Sequence, residues 1–149
     1  MKTQVYRLSL VKERDVDYKV KGIRAMNPQA IVDLLNDVFD ASNCPEEHMW
    51  AIGCNGQLHI VGLFEVSHGA PSECNASPRD ILKRMLLCGA TRFFVAHNHP
   101  SGSIYPSKED KYVTEKLKAS GNMLDVELLD HIIIADDAYY SFKEDGGMI

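Results

Sequence analysis

Nowhere in the 149 residues do about 18 apolar side chains run together, so no stretch reads as a membrane-spanning helix. The opening residues, MKTQVYRLSL, lack the apolar core of a secretory signal peptide, and a cytoplasmic protein without a membrane partner is expected. There is no basic excess. Sixteen Lys and Arg against twenty-one Asp and Glu leave a formal charge of -5, which argues against a binder that tracks nucleic-acid phosphates. Cysteine is present but unpatterned: Cys44, Cys54, Cys74 and Cys88 are widely spaced with no Cys-x-x-Cys, so neither a zinc ribbon nor a thioredoxin-like pair is indicated, and free thiols are expected. The His-x-Glu and Pro-Cys-x-x-Cys pair of a zinc deaminase is also missing. Internal repeats and low-complexity segments are absent. What remains, 45% hydrophobic and 25% charged, is the composition of an ordinary globular domain. At this length one domain over residues 1–149 is the default, and it can bury a sizeable core.

In chain order, residues 4–11 alternate Tyr6, Leu8 and Leu10 against Val5, Arg7 and Ser9, which predicts a strand with one apolar face. A charged connection follows, with a short strand near Tyr18 to Val20, so residues 1–24 read as N-terminal strand and connection. Asn27-Pro28 is a helix start, and Ile31, Leu34, Leu35, Val38 and Phe39 then recur at helical spacing, predicting a helix to about Ser42. EEHMWAIGC reads as a strand. Asn55-Gly56 is a hairpin signal that leads into a second strand, Gln57 to about Val66, with a polar loop from Ser67 to Asn75. Ser77-Pro78 opens a helix that Gly89 closes. Thr91 to Ala96 is nearly all apolar, as a central strand covered on both faces should be. A helix from Ser107 to near Gly121, a long strand from Val126 to Ala135 and an edge strand from Tyr139 to Phe142 complete the chain, and 143–149 is a tail expected to fray. This order predicts an α/β fold with a mixed sheet and helices on both faces.

The chemistry gathers between Phe93 and Asp110, in FFVAHNHPSGSIYPSKED. His97 and His99 are two apart at a strand end, and side chains alternate faces along a strand, so both imidazoles aim to one side. A Gly, Ser and Pro turn then leads to Ser107-Lys108-Glu109-Asp110. Asp110, Val113 and Leu117 share one helical stripe, which turns the carboxylate inward. A buried carboxylate needs a cation or donors. Ser107-x-x-Asp110 also reads as a capping box, and the two roles can coexist. Two His and one Asp converging in this way match a catalytic Zn2+ site with one position open for water, whose pKa the metal lowers to about 7. Peptide cleavage then still needs a general base.

At these residues the chain resembles the JAMM/MPN metalloproteases: His97, His99, Pro100, Ser107 and Asp110 reproduce His-x-His-Pro, six residues, Ser-x-x-Asp. HNHPSG, PSKED and LLDHIII are similar, more closely, to the RadC-like branch of JAB domains, over about Val5 to Phe142. Larger RadC proteins carry an upstream helix-hairpin-helix region with no counterpart here, so the resemblance is to the short form. It implies an α-β-α sandwich of the JAMM/cytidine deaminase-like type and a zinc peptidase or isopeptidase. It places the base at the start of the strand after the first helix, where EHMWAIGCNGQ in register with the family's strand-turn-strand segment implies Glu47; Glu46 faces the other way, so only one of the two can reach the metal, and Glu65 and Glu73 are fallback candidates. It also gives the Ser107 hydroxyl the task of steadying the tetrahedral intermediate. Asn98 and Gly102 are expected to shape the loop, and Pro100 to stiffen it. The expected partner is a peptide or isopeptide substrate; a ubiquitin-like tail, a linear peptide and a small amide all satisfy the chemistry. A noncatalytic MPN-type interaction module and a RadC-like DNA-repair-associated protein are the competing readings. Asp130 and His131, polar within an apolar strand, are expected to hydrogen-bond in support of the fold or of the ligands. His48, His59 and His68 are expected in surface or core roles.

Overall fold

The computed structural model describes residues 1–18, 27–69, 76–146 and 148. Its elements follow in the order α1 (Pro28–Phe39), β1 (Glu47–Cys54), β2 (Ile60–Gly69), α2 (Pro78–Leu87), β3 (Arg92–Asn98), α3 (Lys108–Met123), β4 (Glu127–Ala135) and β5 (Ala138–Ser141). A 3-10 turn over Ala41–Asn43 separates α1 from β1. Both expected helix starts form as the local chemistry dictates. The Asn27 and Ser77 side chains accept from the backbone N–H groups of Ala30 and Asp80, with Pro in the first turn of each helix. Asp40 adopts left-handed geometry, φ 54°, which ends α1 at Phe39 rather than at Ser42.

The strands form one mixed sheet in the order β2-β1-β3-β4-β5. β3 and β4 run parallel with α3 as their crossover, and every other pair is antiparallel. Alternation along the strands feeds two cores. Met49, Ala51, Phe93 and Val95 pack with Ile81 and Met85 of α2 and Leu117 of α3. Trp50, Ile52, Phe94, Ala96 and Ile132 pack instead with Ile31, Leu34 and Leu35 of α1. The architecture is therefore the expected α-β-α sandwich, and β1 and β3 are buried on both faces because helices cover both.

The hairpin between β1 and β2 is wider than Asn55-Gly56 suggests. Asn55 Oδ1 accepts from the N–H groups of Gln57 and His59, both at 2.9 Å, and Leu58 takes the left-handed conformation, so β2 starts only at Ile60. β2 then runs past Val66 to Gly69, which pairs with Glu47, and residues 70–75 of the expected loop lie outside the described residues.

The N-terminal strand expected over residues 4–11 does not form. Residues 1–18 have no regular structure, and Val5, Tyr6, Leu8 and Leu10 stand exposed. Alternation gives a segment an apolar face, but a strand also needs a neighbour for its N–H and C=O groups, and neither edge, β2 nor β5, pairs with this arm. Tyr18 packs against the α1-side core without being in a strand, and the rest of the short strand expected there lies outside the described residues. At the other end the chain is tied back: the Met148 N–H donates to the Phe142 carbonyl at 2.8 Å, and its side chain packs on the α2/α3 core.

Near its C-terminus α3 closely approaches Val126, the residue that leads into β4. Gly121 is buried, and a Cβ there would lie 2.4 Å from the Val126 carbonyl oxygen. The Gly121 carbonyl in turn accepts from the N–H groups of Leu124 and Val126. Gly121→Ala must therefore push helix and strand apart. Urea denaturation should show a loss of about 1–3 kcal/mol, although alanine is the better helix former.

Candidate metal centre

β3 ends at Asn98, but its parallel ladder extends one step further, because the His99 N–H donates to the Ile134 carbonyl at 2.8 Å. His97 and His99 therefore keep strand alternation and point to the face covered by α3. The loop after them turns tightly, with Gly102 at φ +80° and its N–H on the His99 carbonyl at 3.0 Å. A Cβ on Gly102 would meet an Asp136 carboxylate oxygen at 2.9 Å, so glycine serves both the backbone angle and the space. This turn returns the chain so that the first turn of α3 faces the two imidazoles.

That first turn is a full capping box. Ser107 Oγ accepts from the Asp110 N–H at 3.0 Å, and an Asp110 carboxylate oxygen accepts from the Ser107 N–H at 2.7 Å. The same carboxylate reaches the histidines: Oδ1 lies 3.1 Å from His97 Nε2, and Oδ2 lies 3.5 Å from His99 Nε2. The two Nε2 atoms are 2.9 Å apart. Capping and convergence thus coexist at Asp110.

These residues fit a metal ion. With bonds of about 2.0–2.1 Å and a tetrahedral angle, zinc ligands sit about 3.3 Å from one another, and the observed separations bracket that figure. The donor set fits too. His99 Nδ1 is 2.7 Å from the Ser103 carbonyl, which can only accept, so Nδ1 keeps a proton and Nε2 is the nitrogen turned to the cluster, able to ligate a metal once its own proton leaves. Burial pushes the Asp110 carboxyl up, but hydrogen bonds from His97 and His99 outweigh it and hold the group well below the usual carboxylate range. The His99 imidazole is raised, chiefly by its hydrogen bond to Asp110, against the opposing effect of burial.

Those directions set a pH window. Asp110 contributes stability above its unfolded value of about 4, and that contribution is lost as pH falls through the depressed folded value. His99 contributes below its unfolded value of about 6.5, and that contribution is lost as pH rises through the raised folded value. Metal-free protein should gain most from this pair between about pH 4 and 6.5. Metal affinity should run the other way above that range, rising as the proton leaves His99. Urea titrations of chelator-stripped protein and metal competition titrations from pH 5.5 to 8.5 check both limbs.

Glu47 opens β1, whose Met49 pairs with His97. Two residues back along β1 and two forward along β3 keep the same face, so Glu47 and His99 lie on one side of the sheet. Both line a cleft of about 1110 Å³, with Met49, Ser107, Asp110 and Val113 on its walls. Burial pushes the Glu47 carboxyl up, while His97 and His99 draw it down. Asn98, which faces away from the cleft, does more than shape the loop. Its Oδ1 accepts from the His48 N–H at 2.7 Å, and its Nδ2 donates to the carbonyls of Glu46 at 2.9 Å and Cys44 at 3.2 Å. The backbone on both sides of Glu47 is thereby fastened to the strand that carries the histidines.

His131 supports a candidate ligand, as expected, but sequence reasoning missed Thr114. His131 Nε2 lies 2.9 Å from His97 Nδ1, and His131 Nδ1 lies 2.6 Å from Thr114 Oγ1. Helical spacing from Asp110 could have found Thr114, four residues on and on the same stripe. Asp130 supports the fold as expected: its carboxylate accepts from the His131 and Lys143 N–H groups and from Ser141 Oγ. Glu65, a fallback base, pairs with Trp50 and contacts His48 Nδ1 at 2.6 Å, on the face of β1 opposite Glu47. His48, Glu65 and His68 form a second group of metal-ligand type among the described residues, but two of the three are exposed and Glu65 is already satisfied by His48. Glu73 lies outside the described residues. No helix among the described residues is long and apolar enough to cross a membrane.

Comparison with known proteins points to one family. A UPF0758 protein of Clostridioides difficile is 34% identical over 143 residues, covering 95% of this chain and 60% of that protein. Another, from Streptococcus suis, is 40% identical over 112 residues, covering 75% and 46%. A third, from Flavobacterium johnsoniae, is 38% identical over 102 residues, covering 68% and 44%. The chain thus spans about half the length of the curated relatives it matches. The family model of the RadC-like JAB domain matches residues 25–148, and with the sandwich fold and the His97, His99 and Asp110 cluster in place, this chain belongs to that family.

Proposed function

We propose that this chain is a zinc-dependent hydrolase of JAMM type that cleaves an amide bond in a peptide or isopeptide. The observation that carries the reading is the convergence of His97 Nε2, His99 Nε2 and the Asp110 carboxylate at the wall of an open cleft that Glu47 also lines. His97, His99 and Asp110 would hold the ion, and when bound it supplies Lewis acidity and a water that ionises near neutral pH. Glu47 takes the proton from the attacking water and returns it to the leaving amine; partial burial keeps its carboxyl above the ordinary range, which suits a group that must do both. Ser107 Oγ already accepts from the Asp110 N–H, so its own proton is free to be donated to the developing oxyanion. Extended substrates such as a flexible C-terminal tail of ubiquitin-like type suit a cleft open to solvent.

The test loads stripped protein with zinc, measures metal content, and screens internally quenched peptide and isopeptide libraries. About one zinc per chain is expected, with turnover that a chelator removes and added zinc restores. Tight zinc uptake with no cleavage of any library member would sink the hydrolase reading and favour a noncatalytic interaction module.

A further inference from the structure

Thr114, His131 and His97 are all buried, and the contacts between them admit only one order of protons. The Thr114 hydroxyl lies 2.6 Å from the Asp110 main-chain carbonyl, which has no proton to give, so Thr114 donates there. A hydroxyl has one proton. Towards His131 Nδ1, also 2.6 Å away, Thr114 can therefore only accept, and His131 must carry its proton on Nδ1. Its Nε2 is then an acceptor, 2.9 Å from His97 Nδ1, and His97 must donate to it. We infer that Thr114 and His131 are positioning residues that keep a proton on His97 Nδ1, so that Nε2, the nitrogen facing Asp110 and His99, is the one a divalent metal of zinc type takes. The chain of three bonds starts at the side chain of one candidate ligand and ends on the backbone of another, so it also ties β3 to α3 at the metal position. The His131 ring is held in plane by stacking on Phe142, with centroids 4.8 Å apart and planes 7° apart, and the His131 main-chain N–H donates to the Asp130 carboxylate. Without the relay His97 is free to put its proton on Nε2, where it competes with the ion.

This inference rests on the metal site proposed above, and its test separates the two. Histidine tautomers are read from long-range proton–nitrogen correlation spectra of labelled, full-length protein, stripped and zinc-loaded. His131 should be protonated on Nδ1 in both forms. Zinc affinity is then measured by competition with a chromophoric chelator for wild type, Thr114→Val and Thr114→Ser. Valine keeps the shape but cannot accept from His131, so its zinc dissociation constant should rise about 10–100-fold and the His131 proton should shift towards Nε2. Serine keeps the hydroxyl and should restore both readouts. A valine variant that binds zinc within twofold of wild type overturns the relay, as does a wild-type His131 protonated on Nε2. A wild-type chain that takes up no zinc overturns the hydrolase reading instead, and the His131 tautomer in stripped protein still decides the relay.

Discussion

His97→Ala is expected to abolish metal uptake and hydrolysis together. His97 is fully buried, and its Nε2 lies within 3.1 Å of both His99 Nε2 and Asp110 Oδ1, so its removal takes one of three donors out of the cluster. Two remaining donors hold zinc poorly, and the metal content after dialysis should fall below about a tenth of wild type. Loss of the Lewis acid removes several kcal/mol of transition-state stabilisation, so kcat/KM should drop by at least about 10³-fold. The substitution also leaves the largely buried Asp110 carboxylate short of a partner, so some stability should be lost even in metal-free protein. Metal analysis beside hydrolysis of the best library substrate reads the outcome, and full metal content with full turnover would remove His97 from the site.

Glu47→Gln should separate the two properties that His97→Ala loses together. Glutamine keeps the size and the hydrogen-bonding reach of Glu47 but cannot take up a proton. Zinc content should therefore stay at the wild-type level while kcat falls by about 10²–10⁴-fold. The fold should not suffer, because Asn98 holds the backbone at Cys44, Glu46 and His48 without using the Glu47 side chain. Burial raises the Glu47 carboxyl, so the acid limb of the wild-type rate profile should lie above the ordinary glutamate value of about 4.3, and that limb should vanish in the variant. Unchanged turnover with zinc bound would place the base elsewhere.

Much of the site could be read locally. A two-residue spacing on a strand decides that His97 and His99 share a face, and a Ser-x-x-Asp start decides that Asp110 sits in a first helical turn. The inward stripe of α3 was legible too, though it runs through Asp110, Thr114, Leu117 and Gly121, while Val113 sits half-buried at the rim of the cleft. The hairpin was placed correctly and sized wrongly, because Asn55 Oδ1 captures two backbone N–H groups and widens the loop. The N-terminal arm misled for a different reason. Its alternation matches a strand as well as that of any other segment, but a strand is a property of two chains, and a single segment does not reveal whether a neighbour is free.

By itself, then, the order of residues determined where the helices begin, which faces of the strands are apolar, and that two imidazoles and a carboxylate would be presented inward within fourteen positions of one another. These depend on φ/ψ preferences and on periods of 2 and 3.6, which act over a few residues. Only the tertiary structure decided that Asn98 fastens the strand end bearing Glu47 by holding the His48 N–H, fifty residues earlier, and that His131, thirty-four residues later, hands a proton acceptor to His97. Such pairings follow from which strands become neighbours, β1 and β4 on either side of β3, and strand order is set by how both cores close over the sheet as a whole.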